Sequence, residues 1–163
     1  MADMLLKHAV IVTVDRERRI FFDGAMAVEG GRIQEIGESA PMAEKYADAG
    51  QVIDCAGKIL FPGFINTHNH LFQTLLKGLG DDMVLSDWLR TMTFPAARFL
   101  DPEECYYGAL LGIMEGIHSG MTTEVDYMYP HPREGLDDSI LRAYRELGIR
   151  GIYGRGCMDA GFE

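Results

Sequence analysis

Phe61-Pro62-Gly63-Phe64-Ile65-Asn66-Thr67-His68-Asn69-His70 is the stretch whose reading decides the fold. Pro-Gly introduces a short apolar strand, and two histidines stand two residues apart at its end. Residues i and i+2 of a strand face the same side, about 7 Å apart along the chain. Two imidazoles so placed can converge on one ion if the strand end faces a cavity, and neutral imidazole suits Zn²⁺ and Fe²⁺. A hydrogen-bonded surface or core residue is the commoner fate of a single histidine, so the context must carry the metal reading. The pair sits at the C-terminal end of its strand, where parallel α/β sheets and barrels build their active sites.

Downstream the pattern reads strand, helix, strand, helix, strand. A helical stretch is predicted from about Phe72. Asp101-Pro102-Glu103-Glu104 is a helix start with Asp as N-cap, Pro at the first helical position and Glu three residues on. Tyr107, Leu110, Leu111, Met114 and Ile117 follow at helical spacing, and Gly120 ends the run. Thr122–Met128 reads as strand, Leu136, Ile140, Tyr144 and Leu147 as a helical stripe closed by Gly148, and Ile149–Tyr153 as strand. That order is the grammar of a parallel sheet with crossover helices. Upstream of residue 61 the reading is β. Leu5 to Val14 is one strand, and Ala25–Val28 with Arg32–Ile36 make a hairpin about Gly30-Gly31. Gln51–Asp54 is a further short strand, and the alanine-rich stretch 39–50 is a loop or one turn of helix. Two domains are expected, 1–60 and 61–163.

The 163 residues are 47% hydrophobic and 25% charged, ordinary for a globular protein and unlike a disordered tail, collagen or a coiled coil. No apolar run is long enough to span a bilayer. Net charge is −10, and no basic patch offsets it, which argues against nucleic acid and anionic membrane as partners. Cys55, Cys105 and Cys157 are odd in number and far apart, which favours a reducing cytoplasm over a disulfide framework. The expected partner is a small molecule, and homo-oligomerisation stays open.

A small β segment, then Pro-Gly-Phe-Ile-Asn-Thr-His-Asn-His, then βα units resembles the start of a metal-dependent hydrolase of the amidohydrolase superfamily, over essentially the whole chain. Residues 70–79, Asp87-Trp88-Leu89 and Tyr106 to Val125 resemble its branch of chlorotriazine hydrolases and aminohydrolases. That branch includes deaminases of S-adenosylhomocysteine and methylthioadenosine, of guanine and 8-oxoguanine, and the triazine dechlorinases. The resemblance implies an α/β fold, the N-terminal portion of a (β/α)₈ barrel preceded by a small β-sandwich segment. It implies one divalent metal, Zn or Fe, held by His68 and His70. Metal-activated water would then deaminate or dechlorinate a nitrogen heterocycle such as a purine or pyrimidine base or an s-triazine. Gln73, Trp88 and Arg155 are the implied substrate contacts, with Asp126 and Tyr127 at the same mouth as secondary candidates. His118 and His131 are set aside from the metal. Ala97 stands where adenosylhomocysteine deaminases tend to carry a ribose-binding glutamate, which points to a free base or triazine over a nucleoside.

A full barrel needs about 250 residues, and about 100 follow Pro62 here. Three of eight barrel strands are expected, with two further histidines, a metal-binding aspartate and a proton-shuttling glutamate lying beyond residue 163. The chain alone is therefore expected to be inactive. The alternatives are an adenosylhomocysteine or methylthioadenosine deaminase, a non-catalytic fragment or binding protein reusing the fold, and a binuclear cyclic amide hydrolase.

Overall fold

The computed structural model of the chain describes residues 1–158, so the end of the second expected domain lies outside the described residues. The chain divides into two compact units, Met1–Pro62 and Gly63 onward.

The first unit is built on one mixed sheet. Its strands are β1 (Met4–Val12), β2 (Ile20–Glu29), β3 (Arg32–Glu38), β4 (Gln51–Asp54) and β5 (Ile59–Leu60), in the order β3-β2-β1-β4, with β5 also paired to β1. The β2–β3 hairpin turns at Gly30 and Gly31, which both take positive φ (56° and 73°), the backbone that a tight two-residue turn requires. The stretch after β3 is more ordered than a loop: Ser39–Lys45 forms helix α1. Ala25 and Ala27 are small enough to let Met42 of this helix bury itself in one cluster with them and Leu5. That tertiary contact stabilises a helix too short to form alone. The unit contains a single sheet, so the second layer of a sandwich is not seen among its described residues.

The second unit alternates strand and helix as its sequence predicts. Strands β6 (Phe64–Asn69), β7 (Met121–Met128) and β8 (Arg150–Arg155) form a three-stranded parallel sheet in the order β6-β7-β8. Between β6 and β7 lie a 3₁₀ helix (Leu71–Leu76) and α2 (Leu85–Trp88), then α3 (Phe94–Ala97) and α4 (Pro102–His118); α5 (Leu136–Leu147) connects β7 to β8. Asp101 caps α4 as expected, accepting from the Glu103 and Glu104 amides while the Glu104 carboxylate accepts from its own. The helical stretch predicted from about Phe72 is not one continuous helix. It breaks into the 3₁₀ segment and short helices joined by a π turn at Leu89–Thr93, just before Pro95. A proline has no N–H for the i→i−4 ladder, and a widened turn ahead of it absorbs the mismatch. The core of the unit holds Leu71, Phe72, Ala109, Ile113, Met128 and Ile140.

Candidate metal centre

The histidine strand is irregular where it matters. From Asn66 to Asn69 β6 advances three residues while its partner β7 advances two, Glu124 to Asp126. One extra residue in β6 makes a bulge, which shifts the phase of the side chains. Asn66 and Asn69, an odd number apart, therefore both reach the buried side, where both amides point at Glu124. His68 and His70 take the open side.

There the two imidazoles converge. Their Nε2 atoms lie 3.3 Å apart, with the rings edge to face. Two lone pairs at that distance repel unless a proton or a cation lies between them. Two Zn–N bonds of about 2.0–2.1 Å at a tetrahedral angle require nitrogens about 3.3–3.4 Å apart, so the pair fits a divalent ion. His70 is also oriented correctly. Its Nδ1 lies 2.7 Å from the Tyr127 carbonyl oxygen, which can only accept, so Nδ1 carries the proton and Nε2 the free lone pair. Among the described residues no group of three or more His, Cys, Asp or Glu side chains could hold a metal. Catalytic zinc sites ordinarily use three protein ligands, one more than this pair.

A cavity of about 340 Å³ opens beside the pair, within the range of small-molecule sites. His68, His70, Gln73, Lys77, Asp81 and Trp88 line it. Gln73 is tethered by Tyr129, whose hydroxyl accepts from Nε2 at 2.6 Å. Burial pushes the Tyr129 phenol up to about 12, with the Gln73 bond pulling the other way, so this tether is neutral at physiological pH. Tyr129 also sets its ring edge-on to both His70 and Phe72. Gly80 passes so close to the Trp88 indole that an added Cβ would lie 2.1 Å from its Cδ1.

Arg155 is not among the residues lining this cavity. Its guanidinium pairs with Asp137 of α5, which also accepts from Tyr153 and from His131 Nε2. Asp126 and Tyr127 do not share a mouth, because neighbours in a strand face opposite sides. Tyr127 lines a second, smaller cavity with both histidines, whereas Asp126 is fully buried and accepts from the Leu71 amide at 2.8 Å. The reading of Ala97 is corrected too. Its side chain is fully buried in the core and does not line the cavity, so it says nothing about a ribose.

Sequence reasoning missed Glu124 and the role of the two asparagines. Glu124 is fully buried, and desolvation raises its pKa against the pull of Asn69, Tyr144 and Asn66. Asp126 is pushed up to about 7, mainly by burial and further by the Glu124 charge. Two acids two apart in a crossover-connected parallel strand were the available signal, since such strands are normally apolar on both faces.

Residues 59–161 match the model of the Amidohydrolase family. The chain is 38% identical over 94% of its length to a 5-methylthioadenosine/S-adenosylhomocysteine deaminase of Caldicellulosiruptor saccharolyticus, covering 34% of that protein. It is 40% identical over 97% of its length to a 5'-deoxyadenosine deaminase of Methanobrevibacter smithii, again covering 34%. The chain thus spans about one third of the length of these relatives. Among solved structures, a zinc-bound adenosine deaminase from Xanthomonas campestris superposes with a TM-score of 0.80 at 26% identity, over 93% of this chain and 33% of that one. Atrazine chlorohydrolase TrzN from Arthrobacter aurescens TC1, complexed with zinc, gives 0.81 at 22% identity over 97% of this chain and 36% of that one, a likeness of fold.

Proposed function

This chain belongs to the amidohydrolase family, and from that premise we propose that it forms the metal-binding N-terminal part of a hydrolase that deaminates an adenine-type nucleoside. In that reaction water adds to the ring carbon bearing the amino group, and ammonia leaves to give the oxo ring. The observation that carries the reading is the 3.3 Å separation of the His68 and His70 Nε2 atoms, with the His70 tautomer set by Tyr127. A divalent ion bound there supplies Lewis-acid activation of water at neutral pH.

The chain's own residues supply one wall of the site. Trp88 offers a flat apolar surface for a ring, and the Gln73 amide, held by Tyr129, can donate and accept along a ring edge. Arg155 enters only if substrate draws it from Asp137. We assign the remaining ligands and the proton shuttle to the longer polypeptide, whose barrel β6, β7 and β8 would open and whose sandwich the first unit would begin. The nucleoside is favoured over a free base or triazine because the relatives of 38% and 40% identity are named as nucleoside deaminases. The contrary argument from Ala97 falls with its burial. The free thiols of Cys55, Cys105 and Cys157 suit a reducing cytoplasm.

Zn²⁺ titration by calorimetry on the 163-residue chain tests the pair. Native protein is expected to bind one ion weakly, and His68→Ala and His70→Ala to abolish the heat. Equal binding by all three would overturn the metal reading. A kcat/KM panel on the full-length enzyme tests the substrate. 5'-Methylthioadenosine, S-adenosylhomocysteine or 5'-deoxyadenosine should lead, and a clear lead by guanine or atrazine would overturn the nucleoside assignment.

A further inference from the structure

We infer that Glu124 is a positioning residue for the histidine pair, acting through the side-chain amides of Asn66 and Asn69. The inference rests on the reading of His68 and His70 as metal ligands.

A carboxylate sits where a parallel strand is normally apolar. Glu124 lies in the middle strand of the sheet and is fully buried. Its Oε1 accepts from Asn69 Nδ2 and, at 3.5 Å, from Asn66 Nδ2; its Oε2 accepts from the Tyr144 hydroxyl at 3.5 Å. Oε1 is the acceptor in both asparagine contacts, and a side-chain amide meets an acceptor with its NH₂. Each asparagine must therefore turn its NH₂ toward Glu124 and its carbonyl oxygen the other way. Those oxygens meet the backbone of the metal strand. Asn66 Oδ1 accepts from the His68 amide at 3.3 Å, and Asn69 Oδ1 accepts from the His70 amide at 2.8 Å. One acid thus fixes the polarity of two amides, and each amide holds the N–H of one histidine.

The bulge gives this arrangement its purpose. With an extra residue in β6, the ladder to β7 is interrupted between Asn66 and Asn69, around His68. Backbone groups released from a ladder need other partners. The asparagine oxygens supply them, and they do so where the bulge turns both rings toward one point. Without Glu124 the amides are free to reverse, and the two Nε2 atoms lose their fixed separation.

The test uses the 163-residue chain with two readouts: Zn²⁺ affinity by calorimetry, and hydrogen exchange of the His68 and His70 amides with Ile113 of α4 as the global reference. Glu124→Leu keeps the bulk and removes the acceptors. Zn²⁺ affinity should fall about 10–100-fold, the range seen when groups supporting metal ligands are lost. Exchange at His68 and His70 should quicken while Ile113 keeps its native protection. Glu124→Gln retains an acceptor for the asparagines and should stay within about threefold of native in both readouts. A folded Glu124→Leu protein with native Zn²⁺ affinity and native exchange at both histidines overturns the inference. So does equal loss in Glu124→Leu and Glu124→Gln. If Glu124→Leu does not fold, Asn69→Ala at its half-buried position decides by the same readouts, with faster His70 exchange expected. If His68→Ala binds Zn²⁺ as the native chain does, the metal reading falls, while the exchange result still decides whether Glu124 orders the strand.

Discussion

At the scale of single residues, the buried side of β7 carries a cost that pH should reveal. Asp126 is fully buried, one of its oxygens accepts from the Leu71 amide, and the other has no hydrogen-bond partner among the described residues. Burial, reinforced by the Glu124 charge, raises its pKa from 3.8 to about 7. The folded protein therefore holds a proton that the unfolded chain releases near pH 4. Where the native state binds more protons, stability falls as pH rises. Stability due to this group is complete below about pH 4, declines between about pH 4 and 7, and is flat above. A shift of about three units corresponds to at most about 4 kcal/mol. Glu124, raised by burial, acts in the same direction. Asp126→Asn mimics the protonated acid and keeps an oxygen for Leu71. Urea denaturation at pH 5 and pH 8 should show the native chain losing stability between them and Asp126→Asn losing distinctly less. Parallel losses would show that Asp126 is ionised in the folded state.

At the scale of elements, the cavity wall depends on a close approach between a turn and a four-residue helix. Gly80 abuts the Trp88 indole at the end of α2, where a Cβ would lie 2.1 Å from Cδ1 and 2.5 Å from Nε1. Gly80→Ala must push the indole away. Trp88 is the only tryptophan, so its fluorescence reports on this wall alone. The variant should show a red-shifted emission maximum and stronger acrylamide quenching, with stability changed by less than about 1 kcal/mol because the core is untouched. Unchanged emission would mean that α2 moves as a body and keeps the wall. Local signals made much of both units readable beforehand. Asp101, Pro102 and Glu104 announce the start of α4 within four residues, and Gly30-Gly31 announces a hairpin. What escaped the sequence is what distance in the chain hides. The bulge at His68 depends on how β6 and β7 align, and the Glu124–Asn69 contact joins residues 55 apart. Strict alternation would have put Asn66 on the histidine face. Ala97 misled because its place was judged by likeness to a pattern, whereas the π turn and α3 carry it into the core.

At the scale of the molecule, hydrophobic attraction and charge repulsion oppose each other across one open surface. The helices cover one face of the β6-β7-β8 sheet, while the other presents Ile65 (64% exposed), Ile152 (61%) and Tyr127 (47%). Among the described residues β6 and β8 are the two edge strands of this sheet, the positions at which a further strand can add. An apolar face with open edges favours association, and in the proposed longer enzyme it would face the barrel interior. Against this stands a net charge of −10, which drives copies apart at low ionic strength. Salt screens that repulsion, the Debye length shrinking from about 30 Å at 0.01 M to about 3 Å at 1 M, and leaves the apolar attraction intact. The 163-residue chain should therefore bind the dye ANS and run near monomer size in dilute buffer. Its apparent mass should rise with protein concentration as salt increases. Ile65→Lys with Ile152→Lys should remove both the dye binding and the salt-induced growth while leaving the helical signal of the circular dichroism intact. A native chain that stays monomeric at all salt concentrations and binds no ANS would show that the face is covered in solution, and the double variant would then alter nothing.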